Sequence, residues 1–207
     1  MKRASVAELE AALGAWSRGA HRDGSGPERI QAAVCLPVRE TPDGLTVWCI
    51  RRPDGLRHHS REMAFPGGKR DPEDADLVAT ALRETEEELG IPRSRLRVLG
   101  TLAAVPTATS LFTLNPVVAE VMAGAEPAPA PGEVADLVTL RLEDFFLGLV
   151  PYSAVDLGRY RSPIFEFSVG PMYGATAHVL LELLSVYAAV CELEMPEPVI
   201  TTTVPWM

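Results

Sequence analysis

Hydrophobic and polar residues alternate along the chain in blocks that predict a mixed fold. Residues 4–16 carry helical spacing and precede a Gly-rich stretch, residues 19–27. Apolar runs at 30–38 and 45–52 flank Thr41-Pro42-Asp43-Gly44, which predicts a β-hairpin. Residues 63–65 predict a short strand entering Gly67-Gly68, and residues 96–105 and 112–121 predict further strands. Residues 123–132, AGAEPAPAPG, read as a flexible or polyproline-like connector. A turn into a strand is expected at 133–140, a short helix at 142–149 and a strand at 164–169. Residues 174–194 predict a long helix burying Ala177, Leu180, Leu181, Leu184 and Ala188. Strands, one helix, more strands and a second long helix suit an α+β fold, an α/β/α sandwich around a mixed sheet.

The helix expected after Gly67-Gly68 carries the densest chemistry. Asp71-Pro72-Glu73-Asp74 reads as its start: Asp71 can cap, Pro72 suits the first helical position and acidic side chains favour that end. Gly90 reads as its stop, with Pro92 just beyond. At about 100° per residue, Val78, Ala81, Leu82, Thr85 and Leu89 form a core-facing stripe. Glu84, Glu87 and Glu88 gather on one flank, and Glu86 falls on the other side of the stripe.

Like charges three and four residues apart repel by a few tenths of a kcal/mol per pair, roughly, in an isolated helix. A cation between them removes that cost. Carboxylates are hard oxygen ligands, so Mg²⁺ or Mn²⁺ is the expected ion for Glu84, Glu87 and Glu88. Arg83 is spaced to pair with Glu87 one turn on. The bland alternative, a solvated acidic face, does not account for the Gly-Gly turn in front.

Residues 68–91 resemble the Nudix box, G-x5-E-x7-R-E-U-x-E-E-x-G-U, where U is a bulky apolar residue. Arg83-Glu84, Glu87-Glu88 and Gly90-Ile91 match, and Thr85 stands where an apolar residue is usual. Asp74 stands near the place of the first Glu, with eight residues before Arg83 in place of seven. This longer box resembles the coenzyme A pyrophosphatase branch, as does the preceding Leu56-Arg57-His58-His59-Ser60-Arg61-Glu62-Met63-Ala64-Phe65-Pro66. Arg61 replaces that branch's usual Gly, and Met63 its Val.

The resemblance implies a Nudix-type sandwich, with the box helix on one side and the late helix on the other. It implies a metal-dependent hydrolase that cuts the diphosphate of coenzyme A or an acyl derivative. Glu84 and Glu88 are the surest ligands, Glu87 is a third, and Arg83 completes the catalytic set. Arg57, His59, Gly67, Gly68, Arg52 and Lys69 are the expected substrate-binding residues, with Arg51 and Arg70 nearby as further cations. Glu133 is an outside candidate for a base, and the start of the late helix, Tyr173-Gly174, is an anion-site candidate. Other substrates of the family, such as ADP-ribose, NADH or nucleoside triphosphates, form the second reading. A third is a ligand-binding module that no longer hydrolyses; such modules usually lose the metal carboxylates, which are all present here.

Composition narrows the partners. At 207 residues the chain reads as one domain of residues 30–207, with residues 1–29 as a helix and linker packed on it. A net charge of −9 argues against a nonspecific nucleic-acid or anionic-membrane surface, so the expected partner is a small nucleoside diphosphate derivative. A homodimer stays open. Cys35, Cys49 and Cys191 have no zinc spacing and read as buried apolar residues of a reducing compartment, which with no apolar N-terminal stretch predicts a cytoplasmic protein.

Overall fold

The computed structural model describes residues 2–16, 29–53, 62–108, 110–158 and 160–205. The strands are β1 (Ile30–Thr41), β2 (Gly44–Arg51), β3 (Met63–Ala64), β4 (Gly67–Lys69), β5 (Leu96–Thr101), β6 (Val105–Pro106), β7 (Phe112–Val121), β8 (Asp136–Arg141), β9 (Tyr152–Asp156), β10 (Arg161–Phe167), β11 (Gly170–Met172) and β12 (Val199–Thr201). The helices are α1 (Val6–Trp16), α2 (Leu77–Leu89), α3 (Leu142–Phe146) and α4 (Gly174–Cys191).

β1 is the spine. It pairs parallel with β7 from Ile30↔Phe112 to Val38↔Glu120. Its far end forms a hairpin with β2, and its near end pairs with β4 from Ala32↔Lys69 to Val34↔Gly67. β4 therefore follows β2 along the same edge of β1. Both faces of β1 are covered, so Ala32 through Val38 are all buried. Val34, Leu36 and Val38 join one core with Leu9 and Leu13 of α1 and Leu180, Leu184 and Tyr187 of α4. Ala33 and Cys35 point the other way, into a second core with Ala81 and Leu89 of α2. The fold is thus the expected α+β sandwich around a mixed sheet.

A second sheet, in the order β11-β10-β9-β12, lies outside the elements that the sequence predicts, apart from β10. Its strands are three to seven residues long and carry Pro163 and Pro171, so alternation is too brief to show. α4 is long and apolar enough by composition to cross a membrane, yet in the fold it is a core helix. Val179, Leu180, Leu183, Leu184, Val186 and Tyr187 are fully covered, so it is buried on more than the single stripe its sequence suggested. Leu181, assigned to that stripe, is only partly buried.

α1 packs on α4 and β5. Gly100 of β5 makes room for it: a Cβ there would lie 3.0 Å from the Leu13 Cβ. The Ala/Pro segment is tied down rather than loose. Ala128 N–H donates to Leu89 O at 2.7 Å and Ala130 N–H to Glu88 O at 2.9 Å, satisfying the last carbonyls of α2.

Candidate active site

α2 begins later than the sequence predicts. Asp76, not Asp71, is its cap, accepting from Ala79 N–H at 2.8 Å, and Leu77 is the first helical residue. Residues 71–76 form turns held by Asp74. Its Oδ2 accepts from Asp71 N–H at 3.0 Å and from the Thr80 hydroxyl at 2.9 Å. Gly90 ends the helix as expected, with a left-handed φ of 65°. Thr85 fits its apolar position because its hydroxyl donates back to Ala81 O at 2.7 Å.

Arg83 is the hub. It donates to both oxygens of Asp74, to Glu84 Oε1 at 2.8 Å, to Glu87 Oε2 at 2.9 Å and to Lys69 O at 3.3 Å. The Arg83 bonds hold Asp74 well below the usual carboxylate range, and those to Asp74 most of all raise Arg83. The Asp in place of the box's usual Glu is therefore an anchor for Arg83.

The carboxylates separate into two kinds. Glu88 is 7% exposed and accepts from Gly67 N–H at 3.0 Å. Burial pushes its carboxyl up to about 7, opposed by the Gly67 bond and reinforced by the charge on Glu84. Arg52 lowers it and Glu133 raises it by smaller amounts, so the loop carrying Glu133 does reach the electrostatic surroundings of the site. Glu84 is also raised, first by burial and against the pull of Arg83. Glu87 has a side chain 51% exposed and turns to Arg83. Glu86 pairs with Arg93 at 2.7 Å, on the far side from the site as the helical wheel requires.

Gly67 and Gly68 bring β4 against these groups. A Cβ on Gly68 would lie 2.6 Å from Glu84 Cδ, and one on Gly67 would lie 2.7 Å from Val34 Cα. The glycines let backbone and carboxylate meet. Buried carboxylates with few donors are a donor set that suits a hard divalent cation, whose charge would offset their burial. Among the described residues no three acidic, His or Cys side chains converge as a closed cage. Glu84 and Glu88 form the inner pair.

The main cleft of the described residues, about 1610 Å³, runs along the other side of β4. Gly67, Gly68, Lys69, Arg52, Glu62 and Phe65 line it, with Phe112, Leu114 and one face of α4 opposite. Glu84, Glu87 and Glu88 are not in its wall, so the glycine strand is the boundary between cleft and carboxylates. Arg52 Nε is buried without a hydrogen-bond partner among the described residues. Arg57 and His59 lie outside the described residues. Two of the flanking cations have structural engagements: Arg51 pairs with Asp136 at 2.5 Å, and Arg70 donates to Asp74 O and Ala75 O. Tyr173, which caps α4 without a side-chain cap bond, donates its hydroxyl to Glu62 at 2.9 Å.

Two cleft residues carry no local signal in the sequence. Trp16, at the end of α1, donates its indole N–H to Glu182 of α4 at 2.9 Å. They are 166 residues apart, and only the packing of α1 on α4 joins them.

The NUDIX domain model matches residues 29–159, and the chain belongs to that family. A Yersinia pestis (strain Pestoides F) protein named "Uncharacterized Nudix hydrolase NudL" is 41% identical over 129 residues, which cover 62% of this chain. The match spans 63% of that relative's own length. A MutT/nudix family protein from Enterococcus faecalis superimposes with a TM-score of 0.52 at 13% identity, covering 92% of this chain and 76% of its own. A NUDIX hydrolase from Alicyclobacillus acidocaldarius gives 0.51 at 18% identity, covering 82% and 99%. At these identities the structural likenesses show the fold.

Proposed function

We propose that the chain is a divalent-metal-dependent hydrolase of the diphosphate in coenzyme A or its acyl derivatives, yielding 3′,5′-ADP and (acyl-)4′-phosphopantetheine. The observation that carries the hydrolase reading is Glu84 and Glu88, raised by burial, set against the Gly67-Gly68 strand that also walls the cleft. Mg²⁺ or Mn²⁺ held by Glu84 and Glu88, with Glu87 as the outer carboxylate, would supply charge neutralisation at phosphoryl oxygens and a more acidic water.

The chain's own groups do the rest. Arg83 fixes Glu84 through a direct bond and is itself fixed by Asp74. Gly67 and Gly68 allow a phosphate to approach the backbone without a side chain between. Arg52 and Lys69 line the same cleft and can meet the remaining phosphates by charge-assisted bonds. Phosphoryl transfer depends mainly on such positioning and electrostatics.

The coenzyme A preference rests on the branch resemblance. Glu62, Met63 and Phe65 of that motif lie in the cleft wall, which supports a role for the motif in substrate recognition. A cytoplasmic setting belongs to the same reading, supported by three buried free cysteines.

The test is to incubate the protein with coenzyme A and Mg²⁺ or Mn²⁺ and resolve the products, beside ADP-ribose and NADH. Release of 3′,5′-ADP with the highest kcat/KM supports the proposal. Turnover confined to other nucleoside diphosphate derivatives would replace the substrate and keep the chemistry. Loss of no activity in Glu84→Gln would favour a binding module.

A further inference from the structure

The cleft holds a wall that the hydrolase chemistry does not use. At the α1 end, Trp16 keeps 36% of its surface exposed while its indole N–H is fixed on Glu182 Oε1. The same oxygen accepts from Ala103 N–H at 3.0 Å. Two donors therefore hold one oxygen of Glu182, and its other oxygen has no hydrogen-bond partner among the described residues. Trp16, Ala103 and Glu182 line the cleft that reaches Gly67 and Gly68.

A flat π surface pinned by its edge costs little further ordering when a planar ring stacks on it. A carboxylate oxygen beside it accepts hydrogen bonds and donates none at neutral pH. The pair thus selects a planar heteroaromatic ring that carries an amino group. We infer that Trp16 and Glu182 form a base-reading subsite, in which Trp16 stacks on a nucleobase and Glu182 Oε2 accepts from its exocyclic amine, adenine in preference to hypoxanthine. This inference takes from the proposed function only that a nucleotide derivative occupies the cleft.

The isosteric variant gives a sharp test. In Glu182→Gln the amide oxygen keeps the two protein donors, and the amide nitrogen donates where Oε2 accepted. The base preference should move toward a ring carrying a carbonyl. Adenosine and inosine 5′-monophosphate are suitable probes, because neither has a diphosphate to cleave. Calorimetric titration should show the adenosine compound binding the wild-type protein roughly tenfold tighter than the inosine compound. Glu182→Gln should erase or reverse that ratio. Trp16→Ala should weaken both ligands by roughly tenfold, and Trp16→Phe should restore most of the affinity. In a Trp206→Phe background the tryptophan fluorescence change on binding should vanish in Trp16→Phe, since Trp48, the one tryptophan then remaining, is 6% exposed on the opposite face, under Arg39.

Equal binding of the two monophosphates, no binding of either, or an unchanged ratio in Glu182→Gln would overturn the subsite. These outcomes are separate from turnover. Diphosphate cleavage without base discrimination removes the subsite and leaves the hydrolase, and base discrimination without cleavage does the reverse.

Discussion

Arg83 grips Asp74 with two parallel bonds, Nε to Oδ1 at 3.1 Å and Nη2 to Oδ2 at 3.0 Å. Asp74 lies in the turn before α2 and Arg83 in the helix itself, so the pair fastens the helix entry to the residue that orients Glu84. Both side chains are largely covered, 5% and 14% exposed. Asp74→Asn keeps the shape and removes the charge. It should destabilise the fold by about 2–4 kcal/mol, since it leaves Arg83 short of its main partner. Urea titration reads this directly, and kcat should fall with it because Glu84 loses its anchor.

The same pair sets an acid limit. The native Asp74 carboxyl is held below its ordinary value, first by Arg83, so its ionised form favours the folded state. That stability is fully present above the unfolded carboxyl's range, about pH 4, and is lost as pH falls through the lower native value. Asp74→Asn should therefore show a shallower loss of stability below about pH 4 than the wild type. Parallel slopes in the two proteins would contradict this assignment.

The two glycines of β4 should fail in different ways. A methyl at Gly67 meets the β1 backbone at Val34, so Gly67→Ala should lower the melting temperature strongly. A methyl at Gly68 meets the Glu84 carboxylate, a side chain that can move. Gly68→Ala should keep most of the stability and lose activity and Mn²⁺ affinity together. Thermal denaturation beside Mn²⁺ titration separates the two.

Much of this was legible locally. Gly67-Gly68, Arg83 and the spacing of Glu84, Glu87 and Glu88 lie within one short stretch, where helical geometry predicts which side chains share a flank. β7 and the β1–β2 hairpin followed from apolar runs and a Pro-Asp-Gly turn. The helix entry did not: Asp71-Pro72 is a sound local start, but Asp74 is drawn to Arg83 and holds those residues in turns. Trp16 and Glu182 had no local signal, because their meeting depends on how α1 seats on α4. The bonds from Arg70 to Asp74 O and Ala75 O depend on the same turns, so the sequence shows Arg70 only as a flanking cation.

The observed cap yields a control. Asp76→Ala should cost about 1 kcal/mol of stability through loss of the Ala79 bond, with KM unchanged. Asp71→Ala should cost less, since Asp71 does not cap the helix. Equal losses in the two variants would put the helix start back at Asp71.

Glu84 and Glu88 are proposed to support metal-dependent diphosphate cleavage. The most direct measurement is the rate of coenzyme A hydrolysis with Mn²⁺ for the wild type and for Glu88→Gln, a near-isosteric change that keeps an acceptor for Gly67 N–H. Cleavage by the wild type is expected, with its loss on adding a chelator and a fall in kcat of at least about 100-fold in Glu88→Gln while the fold is retained. Cleavage that survives the chelator, or a folded Glu88→Gln with wild-type kcat, would contradict that role.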